Sequence, residues 1–227
     1  MFRRSCPLPG TRQPSWHRRL RTAIGAPISR YLSRQAAHPH GPIGRLIAWN
    51  WIRETAAVND TALELLAARP GERICEIGFG PGRTLAHLAA SGAHVIGVEK
   101  SSDMVTVAAR RNAAAVTTGH IRVVKGDGTA LPVGDDILDG ALSVHSVYFW
   151  PDPAAVLTEI RRVLRPGGRL VLALRPGDHP LPARFDPTIY RVPTAFELTG
   201  WLHAAGFTDI RTEHRPRPTT VVWVTAM

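Results

Sequence analysis

The sequence predicts an α/β fold: one mostly parallel sheet with helices on both faces and an antiparallel pair of strands at one edge. Three observations lead there. Short, nearly continuous apolar runs alternate with segments whose apolar residues recur at helical spacing, the pattern of parallel strands buried on both sides. The chain has 227 residues, 44% of them hydrophobic and 20% charged, enough to close the core of a single folded domain. Its last two apolar runs follow each other without a helix between them, which implies antiparallel pairing.

Residues 1–40 are rich in Arg, Pro and His and read by composition as a poorly ordered extension. Within them Trp16, Leu20, Ile24, Ile28 and Leu32 recur every four residues with Arg on the other faces. That is a basic amphipathic pattern suited to weak contact with a membrane surface, although Gly25 and Pro27 weaken any continuous helix. An Arg-rich, acid-free start also resembles an organellar targeting peptide.

From residue 41 the periodicity becomes regular. Residues 41–70 predict two helices, with Asn59 or Asp60 capping the second and Pro70-Gly71 ending it. Then come the strand RICEIGF, the helix RTLAHLAAS, the strand HVIGVEK, and a helix from SSDMVTVAARRNAAAV that Ser101 or Ser102 is placed to cap. IRVVKGD and ILDGALSVHSV are the third and fourth strands. In DPAAVLTEIRRVLRPGG, Asp152 suits the N-cap and Pro153 the first helical position. Val156, Leu157, Ile160, Val163 and Leu164 form one face, and Pro166-Gly167-Gly168 stops the helix. RLVLALR is the fifth strand, TAFELTGWLHAAG a last helix, and FTDIRTEHR and TTVVWVTAM complete a count of seven strands, joined by a turn containing Pro.

The formal charge of +10 belongs to one end. Residues 1–53 hold ten Arg and no Asp, Glu or Lys, whereas the rest holds 18 basic and 18 acidic residues. The body therefore has no basic-protein character. Cys6 and Cys75 are the only cysteines, which argues against a disulfide framework and for a cytoplasmic setting. No apolar run reaches the ~20 residues of a membrane span.

The chemistry concentrates in RICEIGFGPGRTLAHL. Gly78, Gly80 and Gly82 lie between a strand and a helix, where residues without a Cβ let a ligand approach backbone N–H groups. A phosphate loop is excluded because no Gly-Lys-Ser/Thr follows. A nicotinamide fingerprint requires G-x-G-x-x-G, and Arg83 occupies the place of its third glycine. Glu76, just before the glycines, would repel a pyrophosphate but suits a cofactor bearing an amino group or sulfonium. Glu99 ends the second strand, where a carboxylate accepts hydrogen bonds from ribose hydroxyls. Asp127 ends the third, in reach of an adenine amino group, although Gly-Asp-Gly is also an ordinary turn.

EIGFGPG, GVEKS, KGDGTALPV and LRPGGRLVLA, in this order and spacing, resemble the motifs of class I S-adenosylmethionine-dependent methyltransferases. More narrowly they resemble the small-molecule branch related to the ubiquinone and menaquinone methyltransferases. The resemblance covers roughly residues 41–227 and implies a Rossmann-like seven-stranded sheet. It implies that Glu76 and the backbone at Gly78, Gly80 and Gly82 hold the methionine part of S-adenosyl-L-methionine. Glu99 then takes the ribose, and Asp127 with Gly128 the adenine, which Met104 also flanks in such proteins. Residues 41–70 would form a helical lid, with Asn50, Trp51 and Asn59 near cofactor or substrate.

Transfer of a methyl group from a sulfonium needs an oriented nucleophile, water exclusion and, for some acceptors, a base. At the end of the fourth strand, SVHSVYFWPDP offers His145 as a candidate base and Tyr148, Phe149 and Trp150 as an apolar wall. The alternative is a hydrogen-bonded strand-end histidine beside core aromatics. The Asn/Asp-Pro-Pro-aromatic motif of DNA amino-methyltransferases is absent, so a small-molecule acceptor is expected and no DNA. The histidines show no metal-ligand spacing, and no metal is expected. A cofactor-binding but inactive module and an NAD(P)-dependent oxidoreductase stand as alternatives. The acceptor, and whether O, C or N is methylated, stay open.

Overall fold

The structure, a computed structural model, describes residues 15–178, 181–215 and 221–226. Its centre is a parallel sheet of five strands: β1 (Arg73–Ile77), β2 (His94–Glu99), β3 (Ile121–Lys125), β4 (Leu138–Val144) and β5 (Leu164–Leu174). They lie in the order β3-β2-β1-β4-β5, with β1 parallel to both β2 and β4. This is an α/β Rossmann-like arrangement, as the alternation of runs predicts. Strand order reverses between β1 and β4, so a crevice opens beyond their carboxyl ends. Two further strands, β6 (Arg211–Arg215) and β7 (Val221–Ala226), run antiparallel to each other, and β7 lies antiparallel against β5. The proline-containing turn expected between them falls outside the described residues.

Both faces of the sheet are covered. On one, α7 (Pro153–Val163) and α8 (Ala195–Ala204) pack Leu157, Ile160 and Leu202 against Ile77 and Leu172. On the other, α3 (Ala56–Leu66) and α4 (Arg83–Ala90) pack Leu66, Leu85 and Leu88 against Ile74, Val95 and Val171. α5 (Ser102–Arg111) and α6 (Ala113–Thr117) follow β2 and lie along β2 and β3.

Local signals set the helix starts. Asp152 accepts the backbone N–H groups of Ala154 and Ala155 at 3.0 and 3.1 Å, and Pro153 occupies the first turn of α7. Ser101, one of two expected caps, accepts the Met104 N–H at 3.2 Å. The second helix expected within residues 41–70 departs from expectation. It begins at Ala56 after a break at Thr55, whose hydroxyl donates to the Trp51 carbonyl at 2.8 Å. Asn59 and Asp60, the two expected caps, both lie inside α3, and Asn59 donates to Thr55 Oγ1.

The amino-terminal segment corrects the sequence reading. Residues 1–14 lie outside the described part, but α1 (Ser15–Ala37) is helical through Pro27 and leads into α2 (Gly41–Glu54). Composition misses the few contacts that fix this segment. Ser33 and Gln35 are buried. Ser33 accepts the Asp186 N–H at 2.8 Å, and Gln35 accepts that of His40 at 3.0 Å. The Ser101 hydroxyl donates to the Pro39 carbonyl at 2.5 Å, and Gly41 N–H reaches Asp103 at 2.7 Å. Residues 30–41 are thereby tied both to the start of α5 and to the loop after β5. No helix among the described residues is long and apolar enough to cross a membrane.

Candidate active site

The glycine turn leaves β1 with three residues in the left-handed region: Gly78 (φ +77°), Gly80 (+52°) and Gly82 (+76°). Their surroundings separate their roles. A Cβ on Gly78 would stand 2.4 Å from the Ser146 Cβ, and one on Gly82 would stand 2.7 Å from the Ala108 Cβ. Both positions are therefore closed by packing. A Cβ on Gly80 would meet nothing within 4 Å. That backbone faces open space, as a ligand cradle requires.

Two buried carboxylates flank the turn. The Glu76 side chain accepts the Thr84 hydroxyl on one oxygen, while its Oε2 is buried without a partner. Burial pushes its carboxyl up to about 7; the Thr84 hydrogen bond opposes this and the Glu99 charge reinforces it. Glu99 is nearly buried and receives the Gly80 N–H at 3.1 Å and the Ser101 N–H at 2.9 Å on separate oxygens. Burial raises its pKa and those amides oppose the shift. Each oxygen keeps acceptor capacity after one such bond. Two acidic groups, one of them with an orphaned buried oxygen, beside an open backbone cradle fit a cationic nucleoside cofactor. An ammonium or sulfonium relieves their mutual repulsion; a pyrophosphate would add to it.

A cavity of about 500 Å³ opens beside this turn, within the usual range for small-molecule sites. Gly78, Gly80, Glu99, Asp127 and Met104 line it. Asp127 is held by the Thr129 N–H and hydroxyl at 3.1 and 2.7 Å, which lower its pKa. Trp51 of α2 and Asn59 of α3 also line it, as do Ala36, Ala37 and Pro39; Asn50 instead donates to Glu54. Glu76, Gly82 and Gly128 stand behind the lining. Gly128 (φ +88°) packs against Ile77 and Val156, and Glu76 meets the cavity only through its partner Thr84.

His145 and Tyr148 line the same cavity. The residue after β4, His145, has φ +55°, an uncommon conformation for a side-chain-bearing residue, held by its N–H bond to the Ala173 carbonyl at 2.7 Å. Its Nδ1 lies 3.1 Å from the Tyr148 hydroxyl, and that hydroxyl accepts the Arg175 N–H. Burial, with the charge of Arg175 adding to it, lowers the imidazole to about 4, so it is neutral at physiological pH. Burial raises the Tyr148 phenol well above its ordinary value. Phe149, Phe185 and Tyr190 form an aromatic cluster beside Tyr148, with Phe149 and Tyr190 ring centroids 4.8 Å apart. Trp150 is core; its indole N–H donates to Ser146 at 3.1 Å.

Several residues of the site were not foreseen. Ser146 supports Gly78 and accepts or donates bonds to Ile77, Ser143 and Trp150. Its only signal was a second serine three residues after Ser143. Arg175, Arg184, Phe185 and Tyr190 come from the loop after β5, whose sequence lacks periodicity.

A glycine turn at the switch point, a carboxylate at the next strand end and a cavity opening beside them define an α/β enzyme class that binds a nucleoside cofactor. Comparison with known proteins narrows it. The profile of the methyltransferase domain matches residues 75–172. An O-methyltransferase of Penicillium expansum, cnsE, is 35% identical over 165 residues, covering 66% of this chain and 59% of that protein. The demethylmenaquinone methyltransferase of Clavibacter sepedonicus is 32% identical over 172 residues, covering 64% of this chain and 68% of that protein. The chain thus spans less than two thirds of the first of these relatives. Among solved structures, the [4+2]-cyclase SpnF superposes with a TM-score of 0.66 at 21% identity over 75% of this chain and 80% of that one, a likeness of fold. The chain belongs to the class I S-adenosylmethionine-dependent methyltransferases. The nicotinamide alternative is set aside with that membership.

Proposed function

We propose that this protein transfers a methyl group from S-adenosylmethionine to a small-molecule acceptor bearing an apolar ring or lipid-like body. The observation that carries the reading is a shared cavity: the cofactor-type residues Gly80, Glu99 and Asp127 and the strand-end group His145, Tyr148 and Phe149 line one space. When bound, the cofactor supplies an electrophilic methyl group on a sulfonium. Gly80 allows its close approach, Glu99 accepts its ribose hydroxyls, Asp127 receives its adenine, and Glu76 with Thr84 offers an acceptor to its amino group. Gly78 shapes the turn at the lining itself, and Gly82 and Gly128 shape the turns behind these contacts.

The lid helices and the loop after β5 exclude water and hold the acceptor at attack distance. The same reading treats residues 41–70, joined by the end of α1, as a lid, and takes β6 and β7 as the closing antiparallel edge of a seven-stranded sheet. A cytoplasmic location fits the free, buried Cys75. Ile43, Leu46 and Trp49 on α2 are 56, 72 and 61% exposed among Arg45 and Arg53, which supports weak contact with an anionic membrane surface. Incubation with methyl-labelled cofactor and a panel of phenols, quinols, sugars and amines tests the activity. Label in a ring compound is expected; cofactor binding with no transfer to any acceptor would favour an inactive module.

A further inference from the structure

Arg175, the residue after β5, is half-buried and lines the cavity with His145, Tyr148 and Tyr190. The other cavity arginines have carboxylate partners: Arg83 pairs with Asp60 at 2.7 Å and Arg184 with Glu54 at 3.8 Å. Among the described residues no carboxylate lies within 4.0 Å of the Arg175 guanidinium. A positive charge half-removed from water beside aromatic walls is costly unless something negative meets it there.

The hydrogen bonds around Tyr148 add a second donor. Its oxygen accepts the Arg175 N–H, so its own proton goes to the acceptor within reach, His145 Nδ1 at 3.1 Å. That relay selects the tautomer with the proton on Nε2. His145 then offers the cavity a donor and no lone pair. Its low pKa agrees, because an imidazole kept neutral by burial and by Arg175 does not retain a proton taken from an alcohol or amine.

We propose that Arg175 is the counter-ion for an ionised oxygen of the acceptor, with His145 as its hydrogen-bonding partner, so that the substrate class is an acidic phenol or enol on an apolar ring. This rests on the methyltransferase reading. The acceptor's proton leaves to water before transfer. The anion's electron pair, at oxygen or at the conjugated ring carbon, forms the bond to the methyl carbon as the sulfur–methyl bond breaks, and sulfur keeps that pair. The negative and sulfonium charges cancel, leaving neutral products that Arg175 no longer retains.

Lawsone, a naphthoquinone with an acidic enol hydroxyl, and its methyl ether are a matched anionic and neutral pair of nearly the same shape. Their binding is measured by quenching of tryptophan fluorescence at neutral pH, in wild type, Arg175→Gln and Arg175→Lys. Affinity for S-adenosylhomocysteine is measured in parallel by calorimetry. Wild type is expected to prefer lawsone by about tenfold or more, as a charge-assisted bond gives. Arg175→Gln should bring the ratio to within about threefold, and Arg175→Lys should restore part of it. The side chain alone changes, so the Arg175 N–H bond to Tyr148 stays. Equal binding of the pair by wild type, undetectable lawsone binding, or an unchanged preference in Arg175→Gln overturns the proposal. Failure of S-adenosylhomocysteine to bind any of the three proteins would instead refute the methyltransferase reading, and the lawsone ratio reads the anion site independently of it.

Discussion

The Tyr148 hydroxyl sits between two partners, 3.1 Å from His145 Nδ1 and in contact with the Arg175 N–H, and so joins the ends of β4 and β5. Tyr148→Phe removes one oxygen and strands a buried backbone donor. A stability loss of about 1–3 kcal/mol in urea unfolding is expected. His145→Asn keeps a residue that tolerates the left-handed region. It should fold to within about 1 kcal/mol of wild type and, by losing the donor that orients the acceptor, slow methyl transfer about tenfold or more. Unchanged transfer in His145→Asn would remove His145 from the chemistry.

Gly78 and Gly80 should respond oppositely to a single methyl group. Gly78→Ala forces a Cβ against Ser146 at 2.4 Å and should lower the unfolding midpoint severely, by about 3 kcal/mol or more. Gly80→Ala has free space and bears only the left-handed penalty of about 1–2 kcal/mol. It should remain folded yet lose cofactor affinity, because the new methyl enters the cradle. Paired urea melts and calorimetry check both halves.

Glu76 makes stability depend on pH. Its folded pKa of about 7 stands above the ordinary 4.5, so the folded state holds the proton more tightly. The contribution is full below 4.5 and is lost as pH rises through 7, a change on the order of 3 kcal/mol. Glu76→Gln should flatten that slope. A bound cation favours the ionised form, so cofactor binding near neutral pH should release protons, seen as a buffer-dependent binding enthalpy.

The exposed apolar face of α2 predicts salt-sensitive retention on anionic liposomes. Leu46→Ser with Trp49→Ser should reduce retention several-fold without changing cofactor affinity. Equal binding to neutral vesicles would contradict an electrostatic contact.

The sheet and the glycine-turn end of the cavity were legible because their signals are local. An apolar run, a glycine without a Cβ and a carboxylate at a strand end each declare themselves within a few residues, as Gly80 and Glu99 do. What sequence left ambiguous was which glycines face a ligand. Gly78 and Gly82 are set by Ser146 and Ala108, residues 68 and 26 positions away in the chain. The end of the cavity at His145 is non-local throughout. Arg175 and Tyr190 reach His145 only through strand pairing and loop packing, and neither carries a periodic signal. The order in α1 was missed for a similar reason: Ser33 and Asp186 are distant partners within an Arg-rich composition.

Calorimetric titration with S-adenosylhomocysteine, on wild type and on Glu99→Ala, tests the central claim most directly. The account predicts micromolar binding by wild type and a loss of about a hundredfold in Glu99→Ala, the worth of two charge-assisted hydrogen bonds. Absence of binding by wild type, or equal affinity in the two proteins, would contradict it.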